Sequence, residues 1–478
     1  ALHARGIRLI MDLVVNHTSD EHPWFTASRS GTTDPHRDWY IWRDGRTDAE
    51  GRRLPPNGWG SFFSGPAWTL DPATDHYYLH LFSPKQPDLN WENPALRAEV
   101  HRVMNWWVDR GVDGFRMDVI NYISKAPELG PGAVLPNGFE DGAAHFSFGA
   151  RLREYLDEAR TAVFAGRDGD YLTVGETPGA TPAQALDLVG GSAPVIDMLF
   201  QFEHMDLDQR GATKWDLQPV SAPDLARSLA GWQLALGTDG WNSLYLANHD
   251  QPRPVSRFGD PEHHRYSSAT ALATMLHLMR GTPYVFQGEE LGVLNPELRS
   301  ADDLRDVESI NFHREAVAAG RSPEEVLQVL RRKARDNARS PMPWTGEPNA
   351  GFSANRSWAP IAESSSSVNV ADQVHRDDSV FAYYRRLIAL RKQSDVVVFG
   401  DFALVGTGAD EVFAYMRTLD DEALLVIVNL CSQEREYLIP PATGVLLLTN
   451  SRADVDPCLC TSGTLAPWEA RVYRVGVI

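Results

Sequence analysis

The chain has 478 residues, 43% of them hydrophobic, enough to bury a large catalytic core with a smaller domain appended. Acidic residues outnumber basic ones, 64 against 45, for a formal net charge of -19, which repels phosphate backbones and anionic membrane surfaces and argues against a nucleic acid partner. No apolar run is long enough to span a bilayer, so a membrane partner is not expected.

The first apolar run, residues 7–15, is β-branched and typical of a buried parallel strand. Residues 18–90 are rich in Trp, Pro, Gly and Asp without a strong helical period, and read as a subdomain inserted after that strand. A helix follows, with Asn93 as its N-cap, Pro94 at its first position and Gly111 past its end. Leu96, Val100, Val103, Met104 and Trp107 recur along it at helical spacing and give it one apolar face. Further strand-like runs fall at 114–119, 171–176, 198–202, 244–248 and 283–287, separated by helical stretches, which is the alternation of repeated βα units. After about Asp401 the pattern turns to short alternating strands, at 422–430 and 445–448, and predicts a C-terminal all-β sandwich. The expected division is a (β/α) barrel over 1–17 and 91–400, the inserted subdomain over 18–90 and the β domain over 401–478. Cys431, Cys458 and Cys460 all lie in the last of these; Cys458 and Cys460 are too close in sequence to pair with each other. That usage fits a reducing compartment, and a cytoplasmic location is expected.

Six barrel strands are countable where a closed (β/α) barrel uses eight. The expected fold is therefore a TIM barrel missing its first two βα units.

Catalytic groups on such a barrel sit at the C-terminal ends of strands. Asp118 closes Gly114-Phe-Arg-Met-Asp118, where a period of two places Arg116 and Asp118 on one face, so the guanidinium would hold the carboxylate ionised as a nucleophile requires. A buried Arg/Asp pair holding strands together explains the same pattern. Glu176 ends Leu172-Thr-Val-Gly-Glu176, with Gly175 leaving backbone room beside a ligand; among apolar neighbours a Glu can keep its proton and act as a general acid, although an exposed strand-end Glu is the simpler account. Asn248-His249-Asp250 follows another strand, and Asp12 with Asn16-His17 ends the first. Two imidazoles on strand ends that also carry carboxylates point to a site.

Asp12-Leu-Val-Val-Asn16-His17, Gly114-Phe-Arg-Met-Asp118, Gly175-Glu176 and Asn248-His249-Asp250 resemble, in order, the four signature regions of the α-amylase family of glycoside hydrolases. Gln86-Pro-Asp-Leu-Asn90-Trp91, the segment from Gly281 to Gly292 and Ala334-Arg-Asp-Asn-Ala-Arg339 resemble its oligo-1,6-glucosidase and α-glucosidase branch. The resemblance implies a retaining, exo-acting α-glucosidase acting on short α-1,6-linked oligosaccharides. Asp118 would be the nucleophile, Glu176 the acid/base and Asp250 the stabiliser of the transition state. His17, Arg116, His249 and Arg335 would contact the terminal glucose; Phe63 resembles an aromatic wall near that sugar and reads equally as subdomain core. Val119 is similar to the valine of α-1,6-preferring members.

Rival readings are an α-1,4-glucosidase, a transglucosylase or sucrose isomerase on the same scaffold, and a non-catalytic relative. Members of the family ordinarily carry two further βα units before the strand at Ile7, supplying an Asp and a Tyr to the glucose pocket, so weak activity of this chain is expected. No cofactor is expected. Many α-amylases bind calcium through the equivalent of Asn16, but the segment from Gln86 to Asn90 resembles the branch that lacks that site, and other calcium ligands of the glucosidase branch lie in sequence not found here.

Overall fold

The computed structural model describes residues 1–211 and 213–476. It divides into two compact units, Ala1–Phe202 and Glu203–Ile478.

The first unit is built on four strands, β1 (Ile10–Leu13), β2 (Gly114–Met117), β3 (Leu172–Glu176) and β4 (Met198–Phe200), all parallel and hydrogen-bonded in that order. Asp12 lies opposite Arg116, and Arg116 opposite Val174, so side chains of one face line up across the sheet at the strand ends. Helix α1 (Pro94–Val108) starts where the capping residues predict: the Asn93 side chain accepts from the Ala95 and Leu96 amides at 2.9 and 3.3 Å. Its buried Leu96, Val100, Met104 and Val108 form the apolar face read from the spacing. Gly114, at φ 153°, lets β2 and β3 close up, since a Cβ there would stand 1.9 Å from the Leu172 carbonyl oxygen.

Residues 18–90 contain one α-helix, Pro23–Ser30, a short 3-10 helix, Arg37–Trp39, a three-stranded antiparallel sheet of Trp42–Arg43, Trp68–Asp71 and His76–Leu79, and a strand pair of Arg46–Thr47 with Arg53–Leu54. Its core is aromatic, with Trp59, Phe63, Trp68, Tyr77 and Phe82 packed against Val119 and Tyr122 from the loop after β2. The strand expected at 114–119 stops at Met117 because Val119 turns left-handed, at φ 35° and ψ 44°. The run at 7–15 pairs only from Ile10 to Leu13.

In the second unit, β5 (Ser243–Leu244) and β6 (Thr282–Pro283) pair in parallel and are shorter than the apolar runs that contain them. The C-terminal sheet is antiparallel, in the order β7 (Asp401–Leu404), β8 (Val412–Leu419), β9 (Glu422–Asn429), β11 (Ala470–Gly476), β10 (Gly444–Thr449). A second antiparallel pair, Arg435–Leu438 with Ser462–Leu465, contributes Tyr437 and Leu465 to the core that Leu425, Ile427 and Tyr473 form. Helix Arg265–His277, buried without a break from Ser268 to His277, abuts this sheet; the Tyr415 hydroxyl donates to the Met275 carbonyl at 2.8 Å. Arg417 is fully buried and donates to the carbonyls of Leu278, Val397 and Gly400 at 2.7, 2.7 and 2.5 Å, so the charge is spent entirely on helix and loop ends.

Candidate active site

In the first unit the ends of β1, β2 and β3 bring three carboxylates to one guanidinium. Arg116 Nη1 lies 2.6 Å from Asp118 Oδ1 and 2.8 Å from Asp12 Oδ1, while its Nη2 lies 2.7 Å from Glu176 Oε2. The register explains the convergence: Asp12 and Arg116 are direct partners, and Glu176 stands two residues beyond the partner of Arg116, on the same face. Burial alone would weaken the protonation of Arg116; the charges of Glu176, Asp118 and Asp12 overcome it and raise its pKa.

The backbone adds a second hold on Glu176. Val119 is β-branched and left-handed, and its amide donates to Glu176 Oε2 at 3.2 Å. Gly175 serves packing at this point rather than ligand approach, because a Cβ there would meet Ile196 Cδ1 at 2.9 Å and Ile120 Cγ2 at 3.0 Å.

His17 is buried, with Nε2 3.0 Å from Gln86 Nε2 and Nδ1 3.3 Å from Asn16 Nδ2. Burial lowers its pKa from the ordinary 6.5 despite the opposing charges of Asp88 and Asp118. The ring beside it is Phe82, at 5.3 Å between centroids; Phe63 packs behind Phe82 at 5.4 Å and lies in the subdomain core.

Asn16 takes part in a buried polar knot. Lys125 Nζ lies 2.9 Å from Asp88 Oδ2 and donates to Asn16 Oδ1 at 2.8 Å and to the Tyr122 carbonyl at 2.7 Å. A carboxylate, an amide oxygen and a carbonyl are the donors a hard cation takes. Here an ammonium already spans them, so a calcium ion does not fit this position. Among the described residues no cluster of three or more His, Cys, Asp or Glu is placed to hold a metal.

In the second unit, Asp250 follows β5 in a turn capped by Asn248, whose Oδ1 accepts from the Asp250 amide at 2.8 Å. Its carboxylate faces two guanidinium groups and an imidazole: Arg339 Nη2 at 2.7 Å, Arg335 Nη2 at 3.5 Å and His249 Nε2 at 3.6 Å. Burial pushes Asp250 up, and the charges of Arg335, His249 and Arg339 more than reverse this, holding it below the usual carboxylate value. Arg335 Nε also pairs with Glu308 at 3.1 Å, and Lys214 reaches the same Glu308 oxygen at 2.5 Å. Arg253 is buried; its Nη1 donates to the Gln287 carbonyl at 2.6 Å and its Nη2 to the Ala338 carbonyl at 3.1 Å, tying the Asp250 segment to two other loops.

Every residue singled out from the sequence except Phe63 thus sits in one of two charged clusters, with Asp118, Glu176, Arg116 and His17 in the first unit and Asp250, His249 and Arg335 in the second. Sequence reasoning passed over Arg339, Asp306, Glu308 and Lys125. Arg339 lay inside a quoted motif, but nothing in a one-dimensional pattern marks it as the nearest cation to Asp250.

The alpha amylase catalytic-domain model matches residues 1–400. The chain is 48% identical over 480 residues to an oligo-1,6-glucosidase of Parageobacillus thermoglucosidasius, covering 99% of this chain and 84% of that one. It is 43% identical over 482 residues to a glucan 1,6-alpha-glucosidase of Streptococcus dysgalactiae subsp. equisimilis, covering 100% and 84%. Among solved structures, a mutant trehalose-6-phosphate hydrolase of Bacillus licheniformis superposes with a TM-score of 0.91 at 39% identity, over 99% of this chain and 84% of that one. A mutant isomaltulose synthase of Erwinia rhapontici, solved with D-glucose, gives 0.93 at 33% identity, over 100% and 84%.

Proposed function

The chain belongs to the α-amylase family of glycoside hydrolases, a TIM-barrel catalytic domain followed by a C-terminal β domain, and from that premise we propose that it is a retaining, exo-acting α-glucosidase of short α-1,6-linked gluco-oligosaccharides. The observation that carries the reading is the single guanidinium of Arg116 shared by Asp118 and Glu176 at 2.6 and 2.7 Å. Two carboxylates held by one side chain suit the retaining spacing of about 5–5.5 Å, which leaves no room for a water between them. The relatives at 43 to 48% identity carry oligo-1,6-glucosidase and glucan 1,6-alpha-glucosidase names, which supports the α-1,6 linkage.

In this reading Asp118 attacks the anomeric carbon while Glu176 protonates the departing glycosidic oxygen. Glu176 then takes a proton from water, which attacks the glucosyl ester from the opposite face and releases glucose with net retention. Glu176 is assigned the proton-donating role as the most enclosed of the three acids: its side chain is 8% exposed, against 20% for Asp118 and 54% for Asp12. Asp250, kept ionised by its cations, is assigned the stabilising of the transition state. His17, Arg116, His249 and Arg335 are assigned to glucose contact. Phe63 is assigned a supporting role behind Phe82.

We take 1–17 and 91–400 as the barrel, 18–90 as its inserted subdomain and 401–478 as the C-terminal domain, with β1 to β6 as six of the eight strands of the family barrel. The partner is a small oligosaccharide and the assigned compartment is the cytoplasm; no helix among the described residues is long and apolar enough to cross a membrane. The second reading, a sucrose isomerase, is favoured by the isomaltulose synthase likeness. Relative turnover of isomaltose, maltose and sucrose separates the two. Isomaltose is expected to be the best substrate and glucose the product; preferred turnover of sucrose to an isomer overturns the first reading.

A further inference from the structure

We infer that Arg339 is a positioning residue for Asp250, an inference that rests on the transition-state role proposed for that carboxylate. The guanidinium spends all three of its edges on this task. Nη2 donates to Asp250 Oδ1 at 2.7 Å, Nε to the carbonyl of His249 at 3.1 Å, and Nη1 to Asp306 Oδ2 at 2.7 Å. It therefore grips both the carboxylate and the backbone just before it, which fixes the direction in which the carboxylate points. A lysine, with one compact ammonium, has no such planar fork.

Asp306 anchors the other side. It is buried, it caps helix Val307–Ala318 through the Glu308 amide at 3.0 Å, and its own amide donates to Asp336 Oδ1 at 3.0 Å. The order of fixation runs from the helix N-terminus to Asp306, then to Arg339, then to Asp250. Arg335, four residues earlier, stands farther off, its Nη2 3.5 Å from the other Asp250 oxygen and its Nε 3.1 Å from Glu308. Both arginines are shared with a second acid, Glu308 for Arg335 and Asp306 for Arg339, but Arg339 also holds the backbone before Asp250 through the His249 carbonyl. The charged groups around Asp250 are His249 on its own segment, Arg335 and Arg339 from the 334–340 segment, and Lys214, with Glu308 and Asp306 behind the arginines.

The test is the isomaltose kinetics of R339M, R339K and D306N across pH, beside D250N. Because the role is in orientation, R339M is expected to lower kcat about 10–100-fold with a smaller change in KM. It also moves the acid limb of kcat/KM upward by about one pH unit, since Asp250 loses its nearest cation. R339K restores part of kcat. Asn caps a helix as well as Asp does, so D306N keeps the helix start and shifts the limb in the same direction by less. An unchanged kcat and acid limb in R339M overturns the inference; should R339M fail to fold, unchanged limbs in both R339K and D306N overturn it. D250N separates the two readings: an active D250N sinks the role given to Asp250, while an inactive D250N beside a parental R339M sinks only the role given to Arg339.

Discussion

The two charged clusters solve opposite electrostatic problems. Around Arg116 one cation faces three carboxylates, Asp12, Asp118 and Glu176; around Asp250 one carboxylate faces Arg335, Arg339 and His249. Acids gathered on one cation suit a reaction in which one carboxylate attacks and another passes a proton to the leaving group. The cations next to Asp250 favour its ionised form, which suits a carboxylate that only has to stay charged and oriented. Residue types alone, Asp, Glu, Arg and His, are nearly the same in both. The ratio of charges makes the difference.

Changes on the acid-rich side should be the more damaging. Asp118→Asn removes the attacking oxygen and is expected to cut kcat on isomaltose by about 10⁴-fold or more, with the fold retained by circular dichroism. Turnover near the parental value would end the covalent mechanism. Arg116→Met leaves three acids without their cation and should cost about 3 kcal/mol of stability as well as activity, read from the urea midpoint. A variant as stable as the parent would mean that the carboxylates are solvated well enough to dispense with the guanidinium.

The smallest effect is a difference in acid sensitivity. His17 beside the acid-rich cluster has a pKa lowered from 6.5 by burial. On acidification the unfolded chain therefore takes up a proton near pH 6.5 that the folded chain refuses, and stability falls as the pH drops below that value. Asp250 has a pKa lowered from 3.8; its contribution is present above that value and is lost only as the pH falls through its lower folded value. His17→Gln should flatten the slope of stability against pH below about 6.5, measured by denaturant titration at several pH values. An unaltered slope would place the acid sensitivity elsewhere.

Much of this architecture is written in local pattern. Asn93 and Pro94 announce the start of α1, and the alternation of Arg116 with Asp118 announces a shared face, because capping and strand pleat depend on a few adjacent residues. The strand limits were less legible. The apolar runs continue past the last ladder bond, and Val119 leaves the strand in a conformation that a β-branched residue does not advertise. Phe63 and Phe82 are both aromatic residues of the inserted segment, and only the packing of the subdomain puts Phe82 beside His17.

The sequence by itself determined which acids stand at strand ends and which family they belong to, since those signals lie within runs of about six residues. Tertiary structure decided which charges surround each acid. Lys125 meets Asp88, and Arg339 meets both Asp250 and Asp306, across separations in the chain that no period encodes. A carboxylate's proton affinity follows from neighbours in space, so its chemistry is settled only when the chain has folded.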